Sequence, residues 1–449
     1  MSKIIEFLRE NQDNAVSLLV DYLKFPSIST INHSGVEESA HFLLQLMNES
    51  GIQAKILPTD GIPVVYGEIL RDKNLPTLLI YGHYDVQPAE ITEGWSNDPF
   101  DPVIKDGRVY ARGSGDNKGQ HLAQILAVRA YREIGEELPI NIKFLIEGEE
   151  EMGSPNLGKF VADNKKLLKA DIACSSDGSI HPSGCPTLAL GCRGLLYVEL
   201  RHNGVNKDLH SGTYGGALES PFWRLLDVIR TLRDPETGQV LVPGFYDQVL
   251  PLGQADIDIL NNIPNPKSEL EIVLGKNVDR ISKVQSFYES TLTKPNLNIC
   301  GFQGGYSQDG MKTIVPGVAV AKLDFRLVVD QDPDSIFEDL CEFLATNGFD
   351  DIEVKKMAVF QPSKTPGDNP FVQKIVQTLL SCSKETLVYP NFGGSVPDVL
   401  FTKEMGIPSV WFPLANADTN SHGPDENLDL DLFHRGSELA VHLIEGICT

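Results

Sequence analysis

The chain has 449 residues with 62 Asp+Glu against 38 Lys+Arg, a formal net charge of -24 at pH 7. That balance argues against nucleic acid or an anionic membrane as partner, since both need Lys/Arg-rich faces, and it favours holding cations. A hydrophobic content of 41% with 22% charged residues is that of a soluble globular protein long enough for two or three domains.

Residues 1–24 carry charges throughout and lack a continuous apolar core, so no signal peptide is expected there. No run of 18 apolar residues exists to span a membrane. The seven cysteines are scattered, odd in number and free of C-x-x-C pairs, which reads as reduced thiols in a cytoplasmic protein. In the first segment Ile4, Phe7, Leu8, Ala15, Leu18, Leu19, Tyr22 and Leu23 recur at helical spacing ahead of Pro26, predicting one amphipathic helix over 4–23. A second helix is expected over 36–47, then strands over 53–58, 64–70 and 77–81.

The last of these strands runs into Gly82-His83-Tyr84-Asp85-Val86. Residues two apart in an extended strand point to the same side, so an imidazole and a carboxylate leave together. His83 is a candidate metal ligand and Asp85 a candidate orienting group; the alternative is a strand-end histidine bonded to a nearby carboxylate. A short strand at 108–110 enters the Gly-rich loop Gly113-Ser114-Gly115-Asp116, which brings backbone close to whatever binds there and feeds a helix over 121–134. Asp116 is a second candidate ligand, or else a helix N-cap. A strand over 140–146 empties into Glu147-Gly148-Glu149-Glu150-Glu151, where neighbouring carboxylates repel unless solvated or neutralised by a cation. A strand over 170–174 ends in Ser175-Ser176-Asp177. His83, Asp116, Glu150/Glu151 and Asp177 thus all follow strands, and a mostly parallel sheet gathers them at its carboxyl edge.

The pattern changes after Gly191. Strands over 195–202, 298–302, 318–329 and 352–360 alternate with helices over 221–232 and 335–346, a β-α-β-β-α-β order that fits a ferredoxin-like module. A Pro-, Gly- and Asp-rich stretch, 234–295, interrupts it. A linker-like return at 361–367 leads to helix 371–382, strand 386–389, helix 397–404, strand 408–412 and helix 429–446, with His422 in the last loop. The expected division is a catalytic α/β domain from 1–191 and 361–449, with an inserted α+β lid over 192–360.

If His83, Asp116, Glu151, Asp177 and His422 meet, two imidazoles and three carboxylates without a thiolate suit a pair of Zn, Mn or Co ions. Two such ions share a water and polarise a carbonyl. A surplus carboxylate then moves the proton, which is the machinery of amide hydrolysis. Spacing leaves Glu149 and Glu150 both open for that role. Arg326, in Leu323-Asp324-Phe325-Arg326-Leu327, offers a fork for a substrate carboxylate, or a strand-face ion pair with Asp324. Gly394 and Ser395, ahead of the 397–404 helix, offer backbone N–H groups to an anion, or a plain cap.

Tyr81-Gly82-His83-Tyr84-Asp85-Val86-Gln87-Pro88, Gly113-Ser114-Gly115-Asp116-Asn117-Lys118-Gly119, Glu150-Glu151-Met152-Gly153-Ser154, Ser176-Asp177 and Ser421-His422 occur in order along nearly the whole chain. Together they resemble the M20 family of di-metal peptidases, in its cytosolic nonspecific and carnosine dipeptidase branch. The resemblance implies a discontinuous di-metal hydrolase domain with a mostly parallel central sheet, and a lid through which a homodimer forms. It implies a metallopeptidase that cleaves small peptide-like substrates with a free C-terminal carboxylate, using two divalent ions per subunit, zinc first with Mn or Co as alternatives. His83 and Asp177 would hold one ion, Glu151 and His422 the other, with Asp116 bridging. Glu150 is then the general base and Asp85 supports His83. His210, in Asp208-Leu209-His210-Ser211-Gly212, would reach the partner subunit's site to bind substrate and the developing oxyanion, and the Thr313 hydroxyl would lie near the substrate carboxylate. The family has a second Asp where this chain has Asn117, and a cis peptide is expected at Asp116–Asn117. Alternative readings are an N-acyl or N-carbamoyl amino acid amidohydrolase on the same scaffold, and a non-catalytic metal- or peptide-binding protein.

Overall fold

A computed structural model describes residues 3–267, 270–271, 287–383, 385–394 and 396–448. The strands Thr77–His83 and Asn141–Glu147 are almost wholly buried and rich in aliphatic residues. Runs of that kind occupy the middle of a sheet covered on both faces. Here the eight-stranded sheet has the order Gln53–Leu57, Val64–Ile69, Asn141–Glu147, Thr77–His83, Ile172–Ser175, Ser409–Trp411, Thr187–Ala189, Leu387–Tyr389. Its four middle strands are mutually parallel. Antiparallel pairings flank them on either side. Side-chain alternation splits the Thr77–His83 strand between two cores. Leu78 and Ile80 pack with the helices Gly119–Glu133 and Leu430–Cys448, while Leu79 and Tyr81 pack with Phe160 and Phe401 on the other face. Because His83 pairs with Glu147 and Tyr81 with Ser175, the ends of three parallel strands meet at one edge.

The second sheet has the order Asn296–Gly304, Val318–Leu327, Gly194–Asn203, Ile352–Phe360, and every pairing is antiparallel. The helices Pro221–Leu232 and Pro333–Thr346 cover the face carrying Leu196, Val198, Leu200, Leu323 and Phe325. This is the ferredoxin-like arrangement. The chain crosses between the sheets twice, and the crossings are tied side by side by pairing of Gly191–Cys192 with Ser363–Lys364. The interrupting segment divides between the two cores: Val240, Val242 and Phe245 join that of the second sheet, while Ile259, in the helix Gln254–Asn262, packs on the first.

Two expected elements differ. The 4–23 helix is two helices, Lys3–Glu10 and Gln12–Leu23. Asn11 separates them, its Nδ2 donating to the Phe7 carbonyl at 2.8 Å, a side-chain bond of the kind that competes with helix propagation. The 397–404 helix shrinks to one wide turn, Leu400–Glu404. Ahead of it Asp398 is buried and takes hydroxyl hydrogen bonds from Ser363 and Ser409, which hold the chain in an irregular path. Among the described residues no helix is long and apolar enough to cross a membrane.

Candidate metal centre

The shared edge of the parallel strands, the Asp116 loop and the 419–426 loop converge. His83 Nε2 lies 3.1 Å from Asp116 Oδ1 and 3.6 Å from Asp177 Oδ2. His422 Nε2 lies 3.1 Å from Asp116 Oδ2 and 3.2 Å from Glu151 Oε2. Asp116 therefore stands between two imidazoles with one oxygen toward each. Ligand atoms of His83, Asp116 and Glu151 all fall within 4.8 Å of one another. The peptide bond Asp116–Asn117 is cis.

Three polar side chains hold this cluster from behind. Asp85 accepts from Glu150 N at 3.2 Å and Glu151 N at 3.1 Å, and from Ser29 Oγ at 2.6 Å, while its carbonyl receives His83 Nδ1 at 3.1 Å. Asn117 accepts from His83 N at 3.3 Å and His121 Nδ1 at 3.1 Å, and its amide donates to Ser176 O at 2.5 Å. With Asn at 117 the clamp is complete, because an amide accepts from His83 and donates to Ser176 without needing a protonated carboxyl. Gln87, two residues beyond Asp85 on the same extended stretch, donates to Glu151 Oε2 at 2.7 Å. Gln87 and Ser29 escaped the sequence reading, although the i, i+2, i+4 series His83, Asp85, Gln87 carries the signal for the first.

The three adjacent glutamates part ways. Glu149 is buried and its Oε1 accepts from Ile62 N at 3.0 Å and Asn156 Nδ2 at 3.1 Å. The Glu150 carboxylate has no hydrogen-bond partner among the described residues and lies in the field of His83, Asp177, Glu151 and Asp116. Burial pushes the Glu150 and Glu151 carboxyls up. Burial opposes charge on His83 as well, but Asp116, Asp177 and Asp85 override it and hold its pKa well above the ordinary value. Asp116 first and then Glu151 push His422 up to about 10. Burial also opposes ionisation of Asp116, yet His422 and His83 hold its carboxyl below the usual range. The carboxylates of this pocket demand positive charge.

Divalent cations fit that demand. His83 Nε2 is buried and has no hydrogen-bond partner among the described residues. With Nδ1–H directed at Asp85, the Nε2 lone pair faces the oxygens of Asp116 and Asp177. A nitrogen and oxygen donor set of this kind suits Zn, Mn or Co. Because the Asp85 carboxylate steadies the Glu150–Glu151 turn and lies 3.4 Å from His83 Nδ1, Asp85→Ala is expected to weaken metal binding about 10- to 100-fold. Competition with a chelator measures this, and unchanged affinity would remove Asp85 from the site's support.

The other candidates sit on or beside the lid. His210 pairs with Ile314 in the two-stranded ladder Leu209–His210/Ile314–Val315, next to Thr313, whose carbonyl accepts from Ser211 N at 3.1 Å. Both side chains are exposed. His210 Nδ1 accepts from Gly212 N at 3.0 Å, which leaves Nε2 as the N–H donor. Asp208 is engaged elsewhere, accepting from Gly317 N at 3.0 Å. Arg326 Nε lies 3.6 Å from Asp324 Oδ2. Gly394 O accepts from Arg193 N at 3.2 Å, and the helical turn begins only at Leu400, so Gly394 is not at a helix N-terminus. Ser395 lies outside the described residues.

Residues 79–446 match Peptidase family M20/M25/M40. The chain belongs to this family. The M20 chain is 31% identical to the human Beta-Ala-His dipeptidase over 98% of its own length and 91% of that protein's. It is 29% identical to the Cys-Gly metallodipeptidase of Schizosaccharomyces pombe, over 98% and 96% of the two chains. Among solved structures, the M20 family metallo-carboxypeptidase of Sulfolobus solfataricus superposes with a TM-score of 0.88 at 36% identity, covering 97% of this chain and 99% of that one. This M20 chain is thus a metallopeptidase by family, with the catalytic domain and inserted lid of its structural neighbours.

Proposed function

We propose that this metallopeptidase hydrolyses dipeptides that end in a free carboxylate. The observation that carries the reading is Asp116 set between His83 and His422, with Asp177 and Glu151 completing two nitrogen–oxygen sites. The likeness to dipeptidases over nearly the full chain supports the substrate class. His83, Asp177 and Asp116 would hold one divalent ion, and Glu151, His422 and Asp116 the second, zinc first with Mn or Co as alternatives. Divalent ions held by these residues would supply an acidified water and a polarised scissile carbonyl. Glu150, whose carboxylate has no hydrogen-bond partner among the described residues, takes the proton from that water and delivers it to the leaving amine. Arg326, Thr313 and Gly394 with Ser395 receive the substrate's carboxylate, Arg326 by a charge-assisted bond.

We further propose a homodimer through the lid, in which His210 serves the partner subunit's site. The exposed Nε2–H of His210 supports this, since a donor aimed at developing charge needs a free N–H. We read the chain as 1–191 and 361–449 forming the catalytic domain and 192–360 the lid; the paired crossings at 191–192 and 363–364 support these limits. A cytoplasmic setting accords with seven cysteines that are all free thiols.

A second reading is a carboxypeptidase, favoured by the 36% identity to the Sulfolobus solfataricus metallo-carboxypeptidase. Apo-enzyme reloaded with Zn, Mn or Co is assayed on dipeptides, longer peptides, C-amidated dipeptides and N-acetyl amino acids. Dipeptides are expected to be cut, and amidation is expected to lower kcat/KM by about 10- to 100-fold for loss of a charge-assisted bond. Faster cleavage of longer peptides selects the carboxypeptidase. Cleavage of N-acetyl amino acids alone selects the amidohydrolase. Equal cleavage of free and amidated substrates overturns the carboxylate contact.

A further inference from the structure

Asp116 needs its own support, because a single residue facing two imidazoles must be held in both position and direction. The Gly-rich loop that carries it directs its backbone N–H groups at one buried carboxylate. Gly115 N donates to Glu426 Oε1 at 2.9 Å, Asp116 N donates to the same oxygen at 3.0 Å, and Gly113 N donates to Glu426 Oε2 at 3.0 Å. Arg112 Nη1 adds a fourth donor to Oε2 at 2.8 Å. The Glu426 carbonyl also accepts from Ala111 N at 3.0 Å. Glu426 is fully buried, and Arg112 is 2% exposed beneath the ring of Trp95. A concave run of N–H groups of this kind is an anion site. Here the anion comes from the protein itself, from a residue 310 positions away in the chain. The glycines permit it: Gly113 has φ 86°, and a Cβ on Gly115 would meet Thr419 Oγ1 at 2.1 Å.

Glu426 also lies four residues beyond His422 on one loop, and the strand Asn427–Asp429 that follows pairs with Arg108–Tyr110. One side chain therefore ties the loop bearing Asp116 to the loop bearing His422. We propose that Glu426 is a positioning residue of the metal centre, which sets the Asp116 carboxylate between His83 and His422 by filling the anion nest of residues 112–116. The inference rests on the metallopeptidase reading above. It makes no use of Glu426 as a metal ligand or proton carrier.

The test is Glu426→Gln in the full-length enzyme. Glutamine keeps the volume but turns one oxygen into an NH2 that faces N–H donors, so the nest loses half of its acceptor. Zinc affinity is measured by chelator competition, and the visible spectrum of the cobalt-loaded protein reports ligand geometry. Expected are a 10- to 100-fold weaker zinc affinity, an altered cobalt spectrum, and a kcat lowered at least tenfold with KM within about threefold of wild type, as for loss of outer support to a ligand. The control is Leu323→Ala in the lid core, which lowers the melting temperature without touching the centre. It is expected to bind zinc and give the cobalt spectrum of wild type. A Glu426→Gln protein that loses thermal stability yet keeps wild-type zinc affinity and cobalt spectrum overturns the proposal. If Glu426→Gln does not fold, Arg112→Gln decides: it leaves the three backbone bonds, and zinc binding about three- to tenfold weaker is expected, with unchanged binding overturning the proposal. A wild-type protein that binds no divalent metal overturns the metallopeptidase reading instead, so the two failures are distinguishable.

Discussion

Glu150→Ala is expected to keep its metal and lose its activity. General acid–base catalysis by a positioned side chain contributes about 10²- to 10⁴-fold, so kcat should fall into that range while metal content by elemental analysis stays at the wild-type value. The neighbours provide the contrast. Glu149 accepts hydrogen bonds from Ile62 N and Asn156, so Glu149→Ala leaves buried donors unsatisfied and costs about 1–3 kcal/mol of stability. Its folded fraction should turn over substrate normally. Glu151 faces His422 at 3.2 Å and receives Gln87 at 2.7 Å, so Glu151→Ala is expected to lose metal. Thermal melts, metal analysis and kcat on the three variants separate the roles. A metal-loaded, inactive Glu149→Ala would move the base by one residue and overturn the assignment to Glu150.

Two inactive proteins should make an active one. If His210 completes the partner subunit's site, His210→Ala lowers kcat by about 10²- to 10³-fold, the loss on removing one oxyanion donor, and leaves the metals in place. Mixing His210→Ala with Glu150→Ala under conditions of subunit exchange then forms a two-fold dimer with one complete site. That site pairs the intact Glu150 of one subunit with the intact His210 of its partner. At equal mixing half the dimers are mixed and one of two sites works, so activity should return to roughly one quarter of wild type. If His210 acts within its own chain, no subunit is ever complete, and no activity returns at any ratio despite exchange measured by mass-tagged subunits. The exposed Nε2–H of His210, with Nδ1 held by Gly212 N, makes the donor available for either arrangement.

Much of this protein is legible in the sequence because the signals are local. The apolar run before His83, the acidic turn after Ile146 and the short strand before Asp177 each announce a strand end, and alternation along 194–203 announces a half-buried strand. Strand ends of a parallel sheet share an edge, so the convergence of His83, Glu151 and Asp177 follows from periodicity and topology rules alone. What lay outside the sequence's reach concerns choices among chemically equal neighbours and partners far apart in the chain. Glu149 and Glu150 carry the same carboxylate one residue apart, so spacing leaves both open and only the motif favours Glu150; that Ile62 N and Asn156 occupy the Glu149 carboxylate is seen only in the folded chain. Asn11 breaks a helix that the apolar spacing continues, because its amide finds the Phe7 carbonyl. Glu426 reads as one more acid in a loop until the sheet brings it under Gly113, Gly115 and Asp116. In the sequence the Gly-rich loop announces only that backbone comes close to whatever binds there. Periodicity records which face of an element is buried; which buried acceptor meets which donor is settled only when distant segments pack, since a hydrogen bond is directional and short-ranged whereas the hydrophobic pattern is neither.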